Sequence, residues 1–151
     1  MKEKENIMLS EHFSLREMTR SGAAVRLGIV NEATPIIIMR LRELCVNVLE
    51  PLRRRFGVIR ITSGYRCERL NKAVGGVRNS QHLRGEAADI HIGSIAEGRR
   101  LLRYIVANLD YDQVLLERIH DNGAGWLHVS FCADRRKNRH ISNENYVVKK
   151  G

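Results

Sequence analysis

Ser80-Gln81-His82-Leu83-Arg84-Gly85-Glu86-Ala87-Ala88-Asp89 brings an imidazole and a carboxylate together across a turn that a glycine can relieve. Farther on, Trp126-Leu127-His128-Val129-Ser130 supplies a second imidazole. Two histidines and one aspartate, with space for water, are what a catalytic zinc requires: three protein ligands and an open fourth position. The chemistry expected of His82, Asp89 and His128 is therefore metal-assisted hydrolysis, with zinc polarising a carbonyl and lowering the pKa of its water towards about 7. Either half alone reads more simply, His82 as a turn residue and Asp89 as a strand-end cap. The joint pattern is the specific one.

The elements that must position these groups follow from local pattern. Ser14-Leu15-Arg16-Glu17 has capping-box form and predicts a short helix, with Phe13 at the staple position. Gly22 and Gly28 bound a loose segment. Thr34-Pro35 opens a longer helix whose buried face is Ile38, Leu41, Leu44, Cys45, Val48 and Leu52; Pro51 bends or breaks it and Gly57 closes it. Val58–Thr62 is β-branched and alternating, hence a strand, and a short helix is expected over 66–74. Ala87–Ile92 is a second strand. Ser94 caps a helix to Asn108, with Leu101, Leu102, Ile105, Val106 and Leu109 inward. Gln113–Arg118 and Leu127–Phe131 complete the strands, with Asp121-Asn122-Gly123 as the turn between them. The expected fold class is α+β: a small, mostly antiparallel sheet of about four strands with packed helices. Residues 1–9 read as an N-terminal extension, 10–133 as the domain, and 134–151 as a basic tail.

With 151 residues the chain suits one domain. Lys and Arg outnumber Asp and Glu by 26 to 17, giving a formal net charge of +9, which favours anionic partners without defining a fold. Nucleic acid is not the expected partner, because the basic residues are scattered and match no recognition module. No segment has the length of a membrane span, so membrane insertion is not expected. Cys45, Cys67 and Cys132 form an odd set without paired spacing, consistent with free thiols. No secretory signal pattern follows Met1, so the chain is expected to be cytoplasmic as synthesised, and to act as a monomer.

Ser80-x-His82-x-x-Gly85-x-Ala87-x-Asp89 with Trp126-x-His128 resembles the zinc D-alanyl-D-alanine carboxypeptidase family. That family includes D-Ala-D-Ala dipeptidases and phage-encoded murein endopeptidases, and shares its fold with the Hedgehog signalling domain. Ser63-Gly64-Tyr65-Arg66 looks like its upstream arginine motif. Phe13-Ser14-Leu15-Arg16-Glu17 and Asp112-Gln113 are similar to features of a short branch. The resemblance covers roughly residues 10–132. It implies one Zn(2+) per chain held by His82, Asp89 and His128, and a peptidoglycan peptide as substrate. It also implies that Arg66 holds a substrate carboxylate or the developing oxyanion, that Ser80 orients the loop or contacts peptide, and that Trp126 walls the pocket. Many relatives carry an acidic general base three residues before the last histidine, where this chain has Gly125. Glu117 is the expected substitute, with a strand-end ion pair as its competing reading; Asp121 and Glu86 are weaker candidates. Gly125 also leaves open a non-catalytic zinc-containing domain that binds cell-wall peptides. A wall substrate sits uneasily with the missing export signal; release through a phage-type route would reconcile them, and so would a substrate other than murein.

Overall fold

A computed structural model describes residues 6–117 and 119–145; Arg118, expected at the end of a strand, lies outside the described residues. It contains one five-stranded sheet in the order β1-β2-β4-β3-β5: β1 Ile61–Ser63, β2 Ala87–Ile92, β3 Gln113–Glu117, β4 Gly125–Ser130 and β5 Ile141–Asn143. The neighbouring pairs are antiparallel except β3 with β5, which is parallel. The α+β class holds, with five strands in place of about four. The extra one, β5, arises from the segment expected as a tail. It is short and exposed along its length, so it carries no burial pattern by which sequence could reveal it.

Helices cover one face of the sheet. α1 (Leu15–Thr19) starts as its capping box predicts, Ser14 Oγ accepting from the Glu17 amide at 3.1 Å. The segment between Gly22 and Gly28 is not loose. It is α2 (Gly22–Leu27), capped by Ser21 and ended by Gly28 in the left-handed region at φ 65°. α3 (Pro35–Leu44) and α4 (Glu50–Phe56) form one continuous rod. Pro51 does not break it: a π-helical turn at Cys45–Leu49 shifts the hydrogen-bond register just ahead of the residue that lacks a donor. α5 spans Glu68–Ala73 and α6 Ile95–Asn108, the latter capped by Ser94. Gly98 is the closest point of α6 to the sheet, where a Cβ would come within 2.6 Å of Ile92 Cδ1 and 2.7 Å of Leu116 Cδ2.

Period-two alternation divides the sheet residues cleanly. Ala88, Ile90, Ile92, Val114, Leu116, Leu127 and Val129 are buried against Leu41, Leu44, Val48, Leu101, Leu102 and Ile105. Each large side chain so buried contributes roughly 1.5–3 kcal/mol to the hydrophobic driving force. Val106, expected inward, is 42% exposed, because Leu102 and Ile105 already fill the helix's buried stripe. β1 is shorter than its β-branched run: Val58 is exposed, and a bulge between Ile61 and Ser63 interrupts pairing. Residues 7–9, expected as extension, dock instead, with Leu9 1% exposed and Met8 bridged to Ser14. Among the described residues no helix is long and apolar enough to cross a membrane.

Candidate metal centre

The other face of the sheet carries the polar residues. Register places Asp89 directly opposite His128, and Leu115 opposite His128 on its other side. The next rung on the same face joins His91, Trp126 and Glu117. His82 reaches this face from a 3-10 turn at Gln81–Arg84 that lies over the sheet. Ser80 Oγ accepts from the His82 amide at 3.2 Å and starts that turn. Gly85 ends it at φ 73°, against Ile37, where a Cβ would meet both backbone and side chain at 3.0 Å.

His82 Nε2 lies 3.3 Å from Asp89 Oδ2, and His128 Nδ1 lies 3.1 Å from Asp89 Oδ1. The three residues are buried, and one ligand atom from each falls within 4.8 Å of the others. The far nitrogen of each ring is also engaged. His82 Nδ1 donates to the Gly64 carbonyl at 2.6 Å, and His128 Nε2 donates to Gln81 Oε1 at 3.0 Å. A carbonyl only accepts, so a neutral ring in either place points its lone pair at the Asp89 carboxylate. The space between them therefore calls for protons on the rings or for one cation. Burial pushes the Asp89 carboxyl up, but the charges and hydrogen bonds of His82 and His128 outweigh it and hold the group well below the usual carboxylate range. An oxygen and two imidazole nitrogens, with each ring oriented by an outer hydrogen bond, fit a zinc donor set.

Arg66 borders this centre. Its loop is fixed from both sides: Arg66 N donates to His82 O at 3.1 Å, while Asn31 donates to Tyr65 O at 2.8 Å and accepts from Cys67 N at 2.7 Å. The guanidinium reaches Ser80 Oγ at 3.4 Å through Nη2, and its buried Nε has no partner among the described residues. Burial lowers the Arg66 pKa against the opposing pull of the Asp89 and Glu117 charges. Glu117 Oε2 accepts from Trp126 Nε1 at 3.4 Å, on the rung beside His128. Ser80 is 6% exposed, and its hydroxyl engages both the His82 amide and Arg66, which holds the loop.

The weaker candidates separate. Gly125 lies opposite Ile92, on the face turned away from His128, so an acid there would point into the core of this sheet. Glu86 binds Arg84 at 2.6 Å, and Asp121 is exposed in its turn. Cys132 is not part of the converging group, and its backbone amide donates to Asn138. A second cluster, Glu11, His12 and Glu50, lies at the N-terminal loop. There the buried Glu50 accepts from Ser10 Oγ at 2.7 Å and His12 N at 2.6 Å and pairs with His12 Nδ1 at 2.8 Å, which accounts for it as an anchor of residues 10–12.

Sequence reasoning passed over Asn31, Gln81 and Arg139, and used Asp112 only as a mark of resemblance. Gln81 occupies a variable place between motif residues, and Asn31 and Arg139 carry no local spacing signal. Only the fold brings them to the site.

A buried imidazole–carboxylate–imidazole cluster with Arg66 held beside its loop, on a small α+β sheet, defines the class: a site of the zinc-hydrolase kind. The family model for peptidase M15 matches residues 11–129, and the chain belongs to this family of zinc-dependent peptidases. A search of the curated proteins returns no match.

Proposed function

We propose that this chain is a zinc peptidase that hydrolyses peptide bonds of peptidoglycan, beside a D-amino acid, with one zinc per chain held by His82, Asp89 and His128. The observation that carries the reading is the convergence of those three side chains within 4.8 Å beside an incompletely partnered Arg66. Zinc bound there supplies an electrophile for the scissile carbonyl and acidifies a water. Glu117, on the rung next to His128, would accept a proton from the attacking water and pass it to the leaving amine. Arg66 holds its guanidinium for a substrate carboxylate or the oxyanion, a task suited to its planar fork. Trp126 walls the cleft, its indole steadied by Glu117.

The formal charge of +9 favours approach to an anionic wall polymer. We take the protein to be a monomer made in the cytoplasm, without membrane insertion, that reaches murein by a phage-type release.

Incubating the zinc-loaded protein with murein fragments tests the reading. New amine groups, lost in a Glu117→Gln variant, are the expected result. Fragments with a free C-terminal carboxylate and their amidated forms distinguish carboxypeptidase from endopeptidase action, since only the former depends on that carboxylate. Binding without new amines would establish the alternative, a wall-peptide-binding domain.

A further inference from the structure

Asp112 is 6% exposed and lies just before β3, its backbone amide bonded to Ser130 O at 2.7 Å. Its carboxylate accepts from Arg139 N at 3.0 Å and Nε at 2.7 Å through Oδ1, and from Arg139 Nη2 at 2.9 Å through Oδ2. Oδ2 also accepts from Gln81 Nε2 at 2.5 Å. The hydrogen bond from Arg139 is the main reason that the Asp112 carboxyl is held below its ordinary pKa. Ionised, Asp112 can only accept. Gln81 must then turn its NH₂ towards Asp112 and its oxygen towards His128, 3.0 Å from Nε2.

We infer that Arg139, Asp112 and Gln81 form a one-way hydrogen-bond relay that orients His128, keeping the proton on Nε2 and leaving Nδ1 to face Asp89 and the metal. The inference rests on the proposed zinc site and adds three positioning residues to it. Without the Asp112 anion, the Gln81 amide can rotate and offer NH₂ to the ring. His128 then accepts at Nε2 and carries its proton at Nδ1, where it competes with the ion. Arg139 enters from beyond β4 and beyond the matched stretch 11–129. It is placed by β5, where Ile141 N bonds Asp112 O at 2.9 Å. The last described strand is thus tied to the metal centre, although none of its own side chains reaches it.

The test is zinc affinity of the full chain, by chelator competition, together with the ring nitrogen that His128 uses. In the wild type loaded with ¹¹³Cd, the metal should couple to His128 Nδ1 while Nε2 keeps its proton. Asp112→Asn should weaken zinc binding by about 10-fold, the low end of the range for an outer partner of a ligating histidine, because Asp112 acts through Gln81. Adding Gln81→Glu to Asp112→Asn restores the polarity: the introduced asparagine amide donates, and the introduced glutamate carboxylate accepts from His128. This double variant should recover most of the lost affinity, which a merely structural role for Asp112 would not produce. Coupling through Nε2, an Asp112→Asn variant as tight as wild type, or a double variant no better than the single one would each overturn the relay. A protein that shows the whole pattern yet cleaves no murein supports the relay while removing the peptidase reading.

Discussion

Replacing Glu117 with glutamine separates its charge from its shape. The amide keeps an oxygen for the Trp126 indole, whose bond to Glu117 is already long at 3.4 Å. Folding stability should therefore move by less than about 0.5 kcal/mol, the usual range for a change that leaves packing intact. Catalysis should respond quite differently. Glu117 is diagonal to His128 across the β3–β4 ladder, and such neighbours lie roughly 7–8 Å apart at Cα, within reach of long side chains. Its side chain can thus approach the His82–Asp89–His128 cluster, and its charge also acts on Arg66. A positioned general base contributes about 10²- to 10⁴-fold. That is roughly 2.7–5.5 kcal/mol at 1.36 kcal/mol per decade, several times any effect on folding. The assay is the rate of amine release from murein fragments at saturating zinc, with metal content and urea unfolding measured on the same preparations. A Glu117→Gln variant that holds zinc and works at the wild-type rate would refute the assignment.

Arg66→Lys retains the charge but loses the fork; zinc content should be unchanged while kcat/KM falls by about 10²- to 10³-fold, the cost of removing one oriented oxyanion donor. Glu50→Gln should destabilise the fold by about 1.5–3 kcal/mol in urea, because Glu50 is 3% exposed and its bonds to Ser10 and His12 are charge-assisted. Burial raises the Glu50 carboxyl, yet the His12 and Ser10 bonds win and leave it below its ordinary value. Its contribution is therefore complete above the unfolded carboxylate pKa of about 4.3 and is lost as pH falls through the lower folded value, so wild type and Glu50→Gln should converge in acid. Gly64→Ala would drive a methyl into the Met18 backbone carbonyl and move the carbonyl that orients His82; chelator competition should show weaker zinc binding, together with about 1–3 kcal/mol of lost stability.

The convergence of His82, Asp89 and His128 was legible because its parts carry local signatures. Alternation on β4 puts His128 on one face, and β2 ends where Ile92 gives way to Gly93-Ser94. The facing of Asp89 and His128 needed one further fact, that β2 and β4 are neighbours, which a pattern within one strand cannot supply. Caps were reliable for the same local reason: Ser14, Thr34 and Ser94 each accept from the amide three residues on. Pro51 misled because a π-turn can absorb a missing donor, which depends on how the whole rod packs. The strand after Asp134 was hidden because its pairing partner lies far back in the chain, as in Gln113 with Ile141, and because no apolar face marks it. The Arg139–Asp112–Gln81 contacts were hidden likewise, since only the closed fold makes them neighbours.

The most direct measurement is the metal content of purified wild type beside His82→Ala and Asp89→Ala, with folding checked by circular dichroism. The expected result is close to one zinc per wild-type chain and almost none in either folded variant. A folded His82→Ala protein that keeps its full complement of zinc would contradict it.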